Sequence, residues 1–285
     1  ECLVGSEMCI RDRKHIVQNI TDPDIVPYIP DGIGNSTDRQ RIPAVLIIPG
    51  GAFRRLVYNF EGEDVAKWLN SMGIAAFVLE CRLPSDEHDN AEDVPLIDAM
   101  RAMRVIRGRA QEFGIDEAKI GVMGFSAGGF MAALLSTAYE SDVYADYKYK
   151  DEYDKLSARP DFAVCSYPVI SIDDCIEAGK RYMSEEQVLE RISDSKAKIL
   201  HKYNPDKLVR PDMPPVFICE TDDDRTTLSE NSVGFYMAAR KAGVSAELHI
   251  FRTGGHGYGC GDDFAQTGEW KVLFTKWIKS IGIIS

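Results

Sequence analysis

Residues 119–129 read Lys119-Ile120-Gly121-Val122-Met123-Gly124-Phe125-Ser126-Ala127-Gly128-Gly129, and the fold follows from how this stretch has to run. Lys119–Gly124 has the short apolar character of a buried strand, and a helix of small residues begins just after Ser126. Between them lies Gly124-Phe125-Ser126-Ala127-Gly128, a G-x-S-x-G pentapeptide with a strand before it and a helix after it. A serine on so sharp a turn has a strained backbone, and a side chain at either flanking position would collide with its neighbours, hence the glycines. The following helix N-terminus points backbone N–H groups at negative charge developing beside the serine. Ser126 is therefore the candidate nucleophile.

Outward from this turn, strand-like and helix-like segments alternate. Ala44–Pro49 and Ile74–Leu79 are continuous apolar runs of strand length, typical of strands buried on both faces. Between them Glu61–Met72 is predicted helical, with Val65, Trp68, Leu69 and Met72 on one stripe and Gly73 at the left-handed C-terminal position. Asp93–Phe113 is predicted as one long helix with Ile97, Met100, Met103, Ile106 and Phe113 near one face. Three more strands are predicted at Asp161–Tyr167, Pro215–Glu220 and Ala246–Phe251, with helices at Ser229–Ala242 and Gln266–Ser280. Asp24–Ile29, with its prolines, suits an edge strand. Such alternation specifies an α/β fold: a mainly parallel central sheet with helices on both faces.

Two segments interrupt the pattern. Tyr139–Arg159, rich in Tyr, Asp and Lys, reads as an exposed excursion. Ser171–Met213 holds a charged helical stretch around Ser184–His201 and is placed to form a lid over the strand ends. With no repeat and no low-complexity linker, residues 14–285 read as one domain carrying insertions at about 139–159 and 171–213. Residues 1–13, ECLVGSEMCIRDR, have no clear period and read as a non-native leader.

Two glycine-rich loops complete the candidate chemistry. Pro49-Gly50-Gly51-Ala52 follows the first core strand, and its small residues let backbone donors approach an oxyanion; Gly51 or Ala52, together with Ala127, are the expected donors. The base must come from His15, His88, His201, His249 or His256. Only His256, in Gly254-Gly255-His256-Gly257 after the last strand, has both a flexible loop and the chain order Ser, Asp, His that accompanies such a turn. His249 lies within a strand and suits a structural role. The acid is expected after Pro215–Glu220, where Asp222, Asp223 and Asp224 stand together. A buried one would accept the imidazole N–H and fix its tautomer.

Composition limits the remaining classes. A formal charge of −12 over 285 residues disfavours nucleic acid and anionic membranes as partners. No apolar run is long enough to span a bilayer. The seven cysteines, Cys2, Cys9, Cys81, Cys165, Cys175, Cys219 and Cys260, are odd in number and contain no C-x-x-C pair. They indicate neither a disulfide framework nor a zinc site, and they fit a reducing, cytoplasmic setting. No cofactor and no metal is expected.

The runs IIPGGAFRRLVYNFEGEDVAKWLNSMGIAAFVLECRLP, PLIDAMRAMRVIRGRAQEFGIDEAKIGVMGFSAGG, SARPDFAVCSYPVIS and AELHIFRTGGHGYG together resemble bacterial acetyl-xylan-esterase-like α/β-hydrolases, near the hormone-sensitive-lipase and feruloyl/acetyl esterase side of that superfamily. The resemblance runs from about Pro43 to Trp277 and covers 139–159 and 171–213 poorly. It implies the α/β-hydrolase fold and a segment like D-D-x-V-V-P-V-x-N-S around the acid. That segment matches Asp223-Asp224-Arg225-Thr226-Thr227-Leu228-Ser229-Glu230-Asn231-Ser232, which favours Asp224 and leaves Asp223 open, since both valines and the proline are missing. Ala52 also departs from the glycine usual in relatives. The implied activity is a serine carboxylesterase acting on short acyl esters, chiefly acetyl, of a small molecule or a carbohydrate such as xylan or xylo-oligosaccharide. A serine peptidase of prolyl-oligopeptidase type shares the same triad. A non-catalytic binding protein could retain the same fold.

Overall fold

The computed structural model describes residues 16–31, 41–86, 88–145, 151–181, 184, 186–187, 198–261 and 266–285. The leader at 1–13 and most of the charged stretch expected at 184–201 lie outside the described residues.

The strands are β1 (Ile16–Val17), β2 (Asp24–Tyr28), β3 (Ile42–Ile48), β4 (Leu56–Val57), β5 (Ala75–Glu80), β6 (Ile115–Phe125), β7 (Ala163–Ser166), β8 (Val216–Thr221) and β9 (Ala246–Phe251). Seven of them form one sheet in the order β2-β5-β3-β6-β7-β8-β9, while β1 pairs with β4 separately. Within the large sheet β2 runs antiparallel to β5, and every other pairing is parallel. Pro27 is accommodated because β2 is an edge. The apolar runs are continuous because both faces are covered. Along β3, Ala44, Leu46 and Ile48 enter one core while Val45 and Ile47 enter the other.

Helices α1 (Asp64–Ser71), α2 (Val94–Gly108), α3 (Ala127–Ala138), α4 (Ile172–Lys180), α5 (Lys198–Lys202), α6 (Ser229–Lys241) and α7 (Glu269–Ser280) account for most of the rest. Val65 and Leu69 of α1 share a core with Trp270, Phe274 and Trp277 of α7, on one face of the sheet. Residues of α2, α3 and α6 fill the other face. Aromatic edges close the α7 side: the rings of Trp68 and Trp270 lie 5.0 Å apart, and those of Phe162 and Trp277 6.2 Å apart. Cys165 and Cys219 sit on adjacent strands, but their side chains enter opposite cores. Both are free, and burial pushes the Cys219 thiol up to about 12.

Three expectations need correction. The helix predicted over Asp93–Phe113 ends at Gly108. The chain breaks at Arg109, makes a short turn over Ala110–Phe113 and closes on left-handed Gly114. Gly108 is a weak helix former, and a Cβ there would run into the Tyr153 ring, so the residue serves packing rather than helix continuity. The excursion at 139–159 is not simply exposed, since Tyr139, Tyr144 and Ala158 are buried. Its described part is docked on α2 by arginines: Arg101 binds Asp151 (2.5 Å) and Asp154 (3.0 Å), and the Arg104 guanidinium lies 4.1 Å from the Tyr144 ring centroid. These contacts join residues about fifty apart in sequence, so no periodic pattern announces them. β6 is also longer than predicted, because it begins at the buried Ile115 and passes through the partly exposed residues 116–119 before the buried run.

The end of β5 is tied to α2 by Arg82, whose guanidinium and backbone N–H both donate to Asp98 (2.5–3.2 Å). Burial pushes the Asp98 carboxyl up, and the Arg82 hydrogen bonds pull it back. Arg82→Met would leave a buried carboxylate without its cation, an arrangement that typically costs about 3–5 kcal/mol. Urea unfolding at neutral pH should show that loss. Arg109→Met, at an exposed pair with Glu112, should scarcely move the midpoint.

Candidate active site

Ser126 stands between the end of β6 and the start of α3 with φ 54° and ψ −117°. A Cβ on Gly124 would fall well inside contact distance of the Gly128 carbonyl, and a Cβ on Gly128 likewise of the Ile48 carbonyl. Backbone cannot move aside as a side-chain tip can, so both positions admit only glycine. The turn is held by Ser126 N–H donating to Ser166 O (3.0 Å) and Phe130 N–H donating to Ser126 O (3.0 Å). Strain at the serine is thus over-determined by its surroundings.

Ser126 Oγ lies 2.8 Å from His256 Nε2, and His256 Nδ1 lies 2.7 Å from Asp224 Oδ2. The histidine loop reaches this position through glycines in the left-handed region, with φ of 63° at Gly255 and 77° at Gly257. His88 instead contacts the carbonyl of Ile20, His249 contacts Glu247, and His201 is exposed on α5, while His15 lies outside the described residues.

The three aspartates separate cleanly. Asp222 and Asp223 are exposed, and Asp223 accepts the Gly255 N–H (2.8 Å), which steadies the histidine loop. Asp224 is 3% exposed and, besides the imidazole, accepts the Thr226 and Thr227 N–H groups (2.7 and 2.9 Å) and the Thr227 hydroxyl (3.0 Å). Burial pushes its carboxyl up, but the hydrogen bond and charge of His256 and the two backbone donors outweigh burial and hold it below the usual value. The structure therefore brings Asp224, and not Asp223, to His256.

The loop after β3 lies alongside. Gly51, Ala52 and Phe53 have φ of 138°, 57° and 57°. Gly51 is obligatory, since a Cβ would overlap the Arg55 carbonyl. Ala52 occupies a left-handed conformation that favours glycine. A Cβ on Gly50 would sit 2.9 Å from the Ser126 Cβ, so this loop abuts the serine directly. Ala127, the third expected donor, is the first residue of α3 and is buried.

Sequence reasoning missed three polar residues at this centre. The Thr227 hydroxyl lies 3.2 Å from His256 Nδ1 as well as on Asp224. Glu61 and Tyr167 are both buried beside the loops, and nothing in their local sequence separates them from ordinary helix and strand residues. Among the described residues no group of three or more His, Cys, Asp or Glu is arranged to hold a metal.

The chain is similar to several known proteins. The BD-FAE family model matches residues 33–238, a span that contains Ser126 and Asp224 and stops before His256. The chain is 31% identical over 284 residues to an acetylxylan esterase of Xylanibacter ruminicola, covering 98% of this chain and 53% of that protein. It is 31% identical over 227 residues to endo-1,4-beta-xylanase B of Butyrivibrio fibrisolvens, covering 79% of this chain and 34% of that protein. The chain thus spans about half of the first relative and a third of the second. Among solved structures, the acetyl ester-xyloside bifunctional hydrolase of Caldicellulosiruptor lactoaceticus superposes with a TM-score of 0.75 at 34% identity, covering 96% of this chain and 98% of that one.

A carboxyl held below its unfolded value stabilises the fold above that unfolded value, and the contribution disappears as pH falls through the folded one. His256→Ala removes the main support of Asp224. The melting-temperature gap between wild type and His256→Ala should be full near neutrality and narrow as the solution is acidified below the ordinary carboxyl range. A gap unchanged with pH would contradict this account of Asp224.

Proposed function

We propose that this chain, which belongs to the BD-FAE family and has the α/β-hydrolase fold, is a serine carboxylesterase that removes short acyl groups, chiefly acetyl, from a carbohydrate such as xylan or xylo-oligosaccharide. The observation that carries the reading is the continuous hydrogen-bonded line Ser126–His256–Asp224, with links of 2.8 and 2.7 Å. The acetyl and xylan parts rest on the names of the acetylxylan esterase and the xylanase to which the chain is similar.

In the proposed reaction Ser126 Oγ attacks the ester carbonyl carbon while its proton passes to His256 Nε2. Asp224 accepts the Nδ1–H, fixes the tautomer and stabilises the imidazolium. Charge on the carbonyl oxygen is met by the N–H of Gly51 or Ala52 and that of Ala127, within a loop and a helix start that need no rearrangement. The tetrahedral species collapses as His256 returns the proton to the leaving alcohol, which leaves an acyl group on Ser126. Water, deprotonated by His256, repeats the attack and frees the acid and the serine. No step calls for a metal or a cofactor.

The segment 171–213 is the one that the sequence places as a lid, and its residues 182–183, 185 and 188–197 lie outside the described residues. It starts where β7 delivers the chain beside the serine turn, with Val169 N–H 3.4 Å from Ser126 O. Its two ends are pinned: Ile170 and Ser171 N–H groups donate to Asn231, and Lys202 and Tyr203 bind Asp93. Residues 14–285 are read as one domain on the same grounds, because the insertions are anchored to the sheet's own helices.

The test is hydrolysis of p-nitrophenyl acetate against longer acyl chains, with Ser126→Ala alongside wild type. Acetate should be preferred, and turnover in the variant should fall by about 10⁶, as on loss of a triad nucleophile. Faster cleavage of a prolyl amide than of any ester would replace this reading with a peptidase. A wild type no faster than Ser126→Ala would leave a binding protein.

A further inference from the structure

Glu61 lies in the π-type turn Asn59–Glu63 that leads into α1, and it is 4% exposed. A charged side chain is seldom so buried without work for each polar atom. Oε2 accepts the Gly50 N–H at 2.8 Å, and Oε1 accepts the Tyr167 O–H at 2.9 Å. Gly50 opens the loop expected to hold the oxyanion, and it has no room for a side chain: a Cβ would lie 2.7 Å from Oε2 on one side and 2.9 Å from the Ser126 Cβ on the other. The carboxylate and the serine therefore both border the space beside Gly50, together with the Phe125 carbonyl.

Tyr167 continues the connection. It follows β7 with φ 37° and is fully buried, and burial followed by the nearby Glu61 charge keeps its hydroxyl far above the ordinary tyrosine range, so it remains a donor. The same oxygen accepts the Gly259 N–H (3.0 Å), while the Gly259 carbonyl accepts Trp270 Nε1–H (3.0 Å). The Tyr167 ring stands edge-on to His256, with centroids 5.1 Å apart. Its carbonyl accepts the Thr227 hydroxyl (3.3 Å), which also touches Asp224. Glu61 and the Tyr167 phenol therefore link the loop after β3 to the histidine loop, while the Tyr167 backbone carbonyl touches the acid turn.

We propose that Glu61 and Tyr167 form a positioning clamp that sets the distance between the oxyanion loop and the His256 loop. The inference rests on the catalytic reading above for its effect on rate, and on the hydrogen bonds alone for its effect on structure. Both side chains are buried. Both act through backbone, so the interaction they secure matters most when charge develops on the oxygen, and kcat should suffer rather than KM.

The test compares wild type, Glu61→Gln, Tyr167→Phe, the double variant and Ser126→Ala, each by ester kinetics and by amide hydrogen exchange. In Glu61→Gln the amide N–H₂ cannot accept, so one of the two hydrogen bonds is lost; in Tyr167→Phe the phenol is lost. Each should lower kcat by about 10²-fold, comparable to removing one oxyanion donor, with KM close to wild type. The double variant should be no worse than the poorer single, because the pair acts as one unit. The Gly50 and Gly259 amides should both exchange faster in each single variant. Unchanged kcat, losses that multiply in the double variant, or faster exchange at only the nearer amide would overturn the clamp. If Glu61→Gln does not fold, Tyr167→Phe carries both readouts. If wild type turns over esters no faster than Ser126→Ala, the catalytic reading falls, and paired exchange at Gly50 and Gly259 alone decides the clamp.

Discussion

The molecule is organised around a place where three pieces of backbone come too close for any side chain. β6 turns into α3 with Gly124 facing the Gly128 carbonyl, and Gly128 in turn faces the Ile48 carbonyl at the end of β3. That approach is possible only if β3 and β6 are neighbours in register, which they are through Ala44↔Ile120 to Ile48↔Gly124. Once the strands are so placed, the serine, the loop after β3 and the first turn of α3 converge without further choice. The double coverage of the sheet, and hence its apolar strands, follows from the need to hold these central strands rigidly between two cores.

What could be read from the sequence was whatever is local or periodic. The strands at Ala44–Pro49 and Ala246–Phe251 and the glycine at position 73 follow from short-range chemistry, and the structure places them within a residue or two of expectation. The serine turn was legible because its glycines are a local requirement. Among Asp222, Asp223 and Asp224 spacing alone decided nothing and the resemblance favoured Asp224 while leaving Asp223 open, since the choice depends on which side chain the loop after β8 buries, and of the three only Asp224 is buried. The end of α2 at Gly108 hides in an otherwise helical pattern, and what requires glycine there is a tyrosine 45 residues later, Tyr153. Glu61 and Tyr167 were invisible for the same reason: their partners lie up to 106 residues away, and no rule of spacing reports such contacts.

The polar interior has a division of labour. Asp224 is served mainly by local donors, the N–H groups of Thr226 and Thr227, so its position travels with the loop after β8. Asp223 and Thr221 instead reach across to Gly255, and Tyr167 reaches to Gly259. The acid is thus built into one element, whereas the histidine is held by contacts from several. The 2.7 Å contact between them is a joint between a self-supporting part and a suspended one.

The suspended part is also where the chain has most freedom to regain. Between Gly254 and Gly261 five glycines have positive φ, and glycine gives up more conformational entropy on ordering than any other residue. The contacts from Asp223, Thr221, Tyr167 and Trp270 must offset that entropy locally, whereas the strands draw on the whole core. The ordering of this loop is therefore shared between those hydrogen bonds and two of its own side chains, Tyr258 and Cys260, which are buried in the α7-side core.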